Sequence, residues 1–424
     1  MSQIADCIVV GAGLAGLACS RALVRQGRRV LLVEAADRVG GRVATDSIDG
    51  FRIDRGFQVF NDAYPEGRRQ LDLAALRLGR FEPGALVAEG STLMRVSDPW
   101  RRPFTALASV VSGVVGPADA IRTARLRQDA LRGFRSGLVD PDAPPAASER
   151  TTAAELAARG FSEGFVRRFF VPFFGGVFLE RLLDTSAMVF LFDFAMFSLG
   201  RACLPAGGMA AIPSQLASGL PHGCLELGRR VRSARPGVVT LEDGSELVAR
   251  DVVVAADGPS AAAMVPDAFC GGWAQRSWKS TRLVAFAAPR SPLARRTLLV
   301  SADPGGVIDN LTVPSDVAAD YAPPGRSLIT VSTRHTADSQ GLEEAVRRQA
   351  QGWFGDATAA WRHLTTVEVR RALPDESPTG RQARPGMPRL ADGLWLCGDH
   401  CGTASINGAL ASGRRCAEAI LAAS

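Results

Sequence analysis

This sequence predicts an α/β fold, in which a parallel sheet is buried between helices, in a chain of more than one domain. Three observations predict it. A strand, glycine turn, helix and strand follow in series over residues 7–34; two later apolar runs, 251–257 and 394–400, read as further buried strands; and 424 residues are enough for two or three domains. Hydrophobic residues make up 46% and charged residues 22%, which excludes both a wholly disordered chain and a polytopic membrane protein. The net charge of +6 is a small excess of 49 basic over 43 acidic groups, with Lys279 the single lysine. No basic cluster interleaved with aromatic residues accompanies it, so no nucleic-acid partner is expected. The eight cysteines are dispersed rather than spaced as a disulfide scaffold, which points to a reducing compartment. Residues 1–6 lack a basic leader, and no apolar stretch reaches spanning length. The expected location is the cytoplasm or its membrane face.

Residues 7–10, Cys-Ile-Val-Val, form the short apolar run of a buried parallel strand. Gly11-Ala12-Gly13-Leu14-Ala15-Gly16 follows, and apolar residues at helical spacing then run to Gly27, a C-cap. Residues 28–34 read as a second strand with Glu34 at its carboxyl end. Gly11 serves the tight turn, Gly13 the close approach of a pyrophosphate, and Gly16 the packing of helix on strand. The helix N-terminus offers its free N–H groups to phosphate, and Glu34 is placed to accept hydrogen bonds from a ribose diol. In this order, the elements point to a bound dinucleotide rather than to a structural turn.

Residues 34–42, Glu34-Ala35-Ala36-Asp37-Arg38-Val39-Gly40-Gly41-Arg42, resemble the Glu-Ala-x-x-Arg-x-Gly-Gly-Arg signature of the flavin amine oxidase superfamily. That superfamily includes monoamine oxidases, protoporphyrinogen oxidase and the phytoene-desaturase-like carotenoid enzymes. The resemblance implies FAD, held by a Rossmann-like FAD-binding domain assembled from discontinuous segments, with an α+β substrate domain. It gives Gly41 and Arg42 contacts to pyrophosphate and flavin, with Ala35, Arg38 and Gly40 in the same turn. Gly56, Phe57 and Gln58 match the family stretch that passes near the flavin. Residues 204–209 are similar to the family's Pro-x-Gly-Gly-Met, and Val231 would meet the adenine through its backbone; as a residue, an ordinary strand valine fits it equally. Gly398 and Asp399, followed by Ser405, Ile406, Asn407 and Ala409, look like the carboxyl-terminal flavin motif, whose helix N-terminus stabilises charge on the reduced ring.

By this resemblance residues 1–75, 201–280 and 385–424 build the FAD domain, and 76–200 and 281–384 the substrate domain. A second GxGxxG unit is absent, which disfavours monooxygenases and disulfide reductases. Cys397, His400 and Cys401 lack zinc spacing, so no metal is expected.

Eleven of the 20 phenylalanines lie within residues 161–197, either as the wall of an apolar tunnel or as the core of the substrate domain. Residues 100–135 pair an apolar stretch, Val110, Val111, Val114 and Val115, with five arginines, as a lipid-surface helix or a solvated amphipathic one would. Residues 140–145 read as a turn or linker. Tyrosines stand only at positions 64 and 321, Ser405 occupies the place of an amine-cage tyrosine, and Lys279 reads as a surface lysine. The expectation is therefore an FAD-dependent dehydrogenase or desaturase of a hydrophobic, isoprenoid-like small molecule, passing hydride to flavin N5, with peripheral membrane contact. Its alternatives are a flavin amine oxidase, a redox-neutral isomerase and a non-catalytic escort protein.

Overall fold

A strand that is apolar on both faces needs cover on both, and Ile8, Val9, Leu32, Val33, Val253 and Val254 are all buried. The computed structural model describes residues 5–97, 101, 115–266, 270–333, 341–386 and 388–423. The chain begins with β1 (Ala5–Val10), α1 (Leu14–Arg25) and β2 (Val30–Val33). A hairpin follows, β3 (Thr45–Ile48) and β4 (Phe51–Asp54), then β5 (Phe60–Asn61) and α2 (Pro65–Gln70). Next come β6 (Gly79–Arg80), β7 (Gly84–Glu89), β8 (Thr92–Ser97), α3 (Pro117–Ser136), α4 (Thr152–Ala158) and α5 (Glu163–Phe165). A π-turn (Val166–Phe170) leads into α6 (Val171–Phe178), α7 (Ala187–Leu199), β9 (Ala202–Leu204) and α8 (Ala211–Ser218). The strands β10 (Leu225–Glu226), β11 (Val231–Arg235), β12 (Val238–Leu241) and β13 (Glu246–Val254) precede α9 (Gly258–Met264). Then follow β14 (Trp278–Ala288), β15 (Leu298–Ser301), β16 (Ile308–Thr312), α10 (Pro314–Val317), β17 (Ser327–Thr333), α11 (Leu342–Phe354) and β18 (Arg362–Pro374). The last elements are α12 (Pro378–Gln382), β19 (Arg389–Ala391), β20 (Leu394–Leu396) and α13 (Ile406–Ala422).

The α/β expectation holds. Strands β10, β2, β1, β13 and β20 run parallel, and β12 and β11 extend the sheet antiparallel from the first half of β13. On one face α1, α8 and α13 bury Leu14, Leu17, Leu216, Leu410 and Ile420. On the other, α9 and β12 cover Val10, Val33, Val254 and Leu396. Gly413 brings α13 hard against α1, because a Cβ there would stand 2.1 Å from the Ala15 carbonyl oxygen.

A second sheet takes the order β18-β14-β17-β16-β15-β7-β8, antiparallel except where β15 joins β7. Residues alternate across β14: Leu283, Ala285 and Ala287 face the first core, whereas Val284, Phe286 and Ala288 face α11. The phenylalanines of α5 to α7 form a further core with Leu126 and Leu156. Helix α3 buries Leu126, Ala130 and Leu131 and leaves Ile121 exposed. The predicted apolar residues Val110, Val111 and Val114 lie outside the described residues. No described helix is long and apolar enough to cross a membrane.

Candidate functional site: a cradle of three converging segments

Gly11 has φ +104°, and a Cβ there would meet the Ala255 carbonyl oxygen at 2.9 Å, so β1 can turn this tightly only with glycine. Gly13 faces open space, with nothing within 4 Å of a Cβ. It starts α1 without a side-chain cap, and no acidic residue stands in the first turn, so no side chain of α1 itself offsets the positive end of the helix that faces that space. Leu14 and Ala15 are buried behind it.

Glu34 shapes this turn directly. Its carboxylate accepts from the N–H groups of Ala12 (2.7 Å) and Ala36 (2.9 Å), beside Ala35. The chain after β10 runs alongside: Arg229 N–H donates to the Glu34 carbonyl at 2.8 Å, and Gly228 N–H to that of Ala36 at 2.9 Å. That contact sets Val231, partly buried in the second core, just beyond the acid. Glu34→Ala removes charge-assisted bonds of about 1.5–3 kcal/mol, so FAD should bind roughly ten- to 150-fold more weakly; unchanged affinity in a fluorescence titration would refute the role.

The second glycine turn touches the first. Gly40 N–H donates to the Ala12 carbonyl at 2.8 Å, and a Cβ on Gly41 would lie 3.6 Å from the Gly13 Cα. Arg42 then reaches across to the far end of the chain. Its guanidinium donates twice to Asp399, at 2.7 and 2.5 Å, once to the Ala372 carbonyl at 2.9 Å, and lies 5.3 Å over the Trp278 ring. Burial pushes the Asp399 carboxyl up, but the charge and hydrogen bonds of Arg42 outweigh it and hold the group below its ordinary value. A depressed carboxyl contributes its stability in full above the unfolded value of about 3.9 and loses it as pH falls further.

Gln58 ties these parts together. Its Nε2 donates to the carbonyls of Arg42 (2.7 Å) and Arg55 (2.9 Å), while its Oε1 is buried without a partner among the described residues. Gly56 and Phe57 precede it, and Phe57 enters the wall of the adjacent cavity. Gly398 N–H donates to Ser412 Oγ at 3.1 Å. Ser405 caps α13 by accepting from Gly408 N–H at 2.9 Å, and Asn407 Oδ1 accepts from Glu66 N–H at 3.0 Å. Ile406 and Ala409 pack on the first core. Arg38 stands apart from the ring around Arg42, because its guanidinium bonds Asp46 at 2.8 Å.

Three features were not evident in the sequence. Asp54 is a latch, accepting from Thr45 Oγ1, Tyr321 OH (2.7 Å) and Met209 N–H (3.0 Å); burial pushes its carboxyl up to about 6 against those bonds. Lys279, expected on the surface, is partly buried and ion-paired with Glu180. Leu179 ends α6 at φ +53° and turns Glu180 back to meet it. Residues 140–145 do turn as expected, but Asp142 also clamps the carboxyl-terminal motif by accepting from Thr403 N–H at 2.7 Å and pairing with Arg415 at 3.1 Å.

The open space beside Gly13, the uncapped helix and the orphaned Gln58 oxygen fit a phosphate-bearing cofactor running from Glu34 towards Asp399. The comparisons agree. The family model described as flavin containing amine oxidoreductase matches residues 14–421. A phytoene dehydrogenase of Streptomyces griseus is 32% identical over 279 residues, 58% of this chain and 53% of that one. A putrescine oxidase of Kocuria rosea is 35% identical over 155 residues, 35% of this chain and 29% of that protein. The chain thus spans about half the length, or less, of these curated relatives. Among solved structures, a putrescine oxidase double mutant superposes with a TM-score of 0.74 at 17% identity, covering 99% of both chains. Cyclohexylamine oxidase from Brevibacterium oxydans gives 0.70 at 18% identity, again over 99% of both. At such identities the likeness concerns the fold.

Proposed function

Because this chain belongs to the family of flavin-containing amine oxidoreductases, we propose that it dehydrogenates an apolar, isoprenoid-like molecule with FAD as its cofactor. The observation that carries the reading is the cavity beside Phe57, about 250 Å3 in volume. Phe169, Phe173, Phe194 and Phe197 line it, so the phenylalanine-rich segment is both core and wall. The π-turn before α6 adds a residue to the helix, and such turns recur where a helix must re-aim side chains at a site.

Charge points the same way. Arg101, Arg127 and Arg201 border the cavity, and Glu82, the one carboxylate among its described lining residues, is held by Arg95 at 2.7 Å. An alkylammonium substrate would meet cations there and no tyrosine cage, since neither Tyr64 nor Tyr321 lines the wall. An uncharged polyene meets phenylalanine. The printed name of the Streptomyces griseus relative is consistent with this reading, and those of the putrescine oxidases favour an amine.

Bound FAD supplies a two-electron acceptor. The protein's share is to fix the substrate against that acceptor and to keep water out of an aromatic-walled space. Anaerobic mixing of the purified flavoprotein with a long polyene is expected to bleach the flavin, with simple amines leaving it yellow. Bleaching by amines alone would overturn the proposal in favour of an amine oxidase.

A further inference from the structure

The 3₁₀ turn Asp399–Cys401 presents the carboxylate that Arg42 holds. Its ends are pinned: Gly398 N–H donates to Ser412 Oγ at 3.1 Å, and Thr403 N–H to Asp142 at 2.7 Å. Glycine flanks the turn at 398 and 402, so the backbone between those pins can pivot. His400, 1% exposed, does not steady it, because both ring nitrogens are buried without a partner among the described residues. Arg276 does: of the described side chains, it alone bonds the backbone of residues 399–401.

Arg276 donates from Nη1 to the His400 carbonyl at 2.9 Å, from Nε to the Asp375 carbonyl at 2.8 Å, and from Nη2 to the Glu376 carboxylate at 2.5 Å. Every nitrogen of the guanidinium is used, as a charge on a side chain only 2% exposed requires. Three acceptors on three nitrogens suit the rigid fork of arginine and not an ammonium. Glu376 is balanced in turn by Arg384, and its carbonyl accepts at 2.8 Å from the N–H of Ser186, the N-cap of α7. Helix α7 lends Phe194 and Phe197 to the cavity wall. The same two segments also receive Arg42, which bonds the Ala372 carbonyl at 2.9 Å, just before Glu376, and lies over Trp278, beside Arg276. Two arginines from distant parts of the chain therefore clasp Asp399 and His400 against one support.

We infer that Arg276, charge-balanced by Glu376, is a positioning residue of the flavin site: it holds the His400 carbonyl so that Asp399 meets the cofactor in register with the cavity-wall helix α7. Arg276 touches neither flavin nor substrate and acts through Asp399. This role requires bound flavin, and it is the same whether a polyene or an amine reduces that flavin.

A double-mutant cycle tests it. FAD affinity and the midpoint potential of the bound flavin are measured in wild type, Arg276→Gln, Asp399→Asn and the double variant. Arg276→Gln should weaken FAD on the order of tenfold, the loss of one charge-assisted bond made by Asp399, and move the potential in the same direction as Asp399→Asn. In the Asp399→Asn background the same change should weaken FAD by less than about twofold and leave the potential unmoved. Wild-type affinity and potential in Arg276→Gln, with only a lower melting temperature, would make the arginine a structural tie. Losses that simply add in the double variant would mean that it acts by another route than Asp399. Arg276→Lys keeps the charge and loses the fork, so it should behave as Arg276→Gln; full affinity there would assign the effect to charge. Each of these three results overturns the inference. Should neither Arg276 variant fold, nitrogen-15 NMR of arginine-labelled wild type follows the guanidinium itself: its signal should move when FAD is added to the cofactor-free protein, and an unmoved signal refutes the role.

Discussion

Gly16→Ala is expected to yield a protein that melts several degrees below wild type and purifies without flavin. A Cβ at this position would stand 1.9 Å from the Gly11 carbonyl oxygen and 3.2 Å from the Ala255 side chain. The oxygen cannot step aside, since Gly11 is itself pressed against Ala255 in a left-handed conformation. Helix α1 must lift off β1 to make room. Overpacking of this kind costs about 1–3 kcal/mol even where side chains can adjust, and here the obstacle is backbone. Lifting the helix also withdraws the N–H groups aimed at the phosphates. Thermal melts with and without added FAD check both halves; an alanine variant that stays yellow and melts with the wild type would mean that α1 does not carry the cofactor.

Gly13→Val should separate the two effects. Gly13 has φ −71° and ψ 177°, extended backbone that suits a β-branched residue, and a Cβ meets nothing within 4 Å. The fold should tolerate the change, and the melting curve of the cofactor-free protein should be unaltered. The isopropyl group would, however, occupy the space left for the pyrophosphate. A clash of about 3 kcal/mol weakens FAD on the order of 100-fold, measurable by flavin fluorescence quenching on titration. Retained affinity would place the phosphates elsewhere.

These two glycines also show what the sequence can disclose. Each answers a demand set within a few residues, a turn or a close approach, and such demands leave a local signature. The same holds for Glu34, whose bonds to Ala12 and Ala36 lie inside the unit it terminates. The meeting of Arg42 with Asp399 was legible only through two separately recognisable motifs 357 positions apart. Where one partner had no motif, the pairing was hidden. Nothing near Lys279 indicates Glu180, which reaches it because α6 ends in a reversed turn. Nothing near Asp54 indicates Tyr321, brought over by the second sheet. The phenylalanines gave two readings because one helix face packs inward while the adjacent face lines a void, and composition does not separate faces. Arg38 shows the reverse limit, a motif position whose side chain is drawn to a neighbouring hairpin.

The packing of α1 against α13 has a bearing on how the protein is made. The floor of the nucleotide pocket is synthesised well before the wall that closes it, β20 with Asp399 and α13, since Asp399 follows Arg42 by 357 positions. Until those residues leave the ribosome, Arg42 has no carboxylate to meet and the leucines of α1 have no lid. Prosthetic-group capture is thereby deferred until both segments have emerged, and a growing chain must keep an unfinished greasy surface out of harm until then.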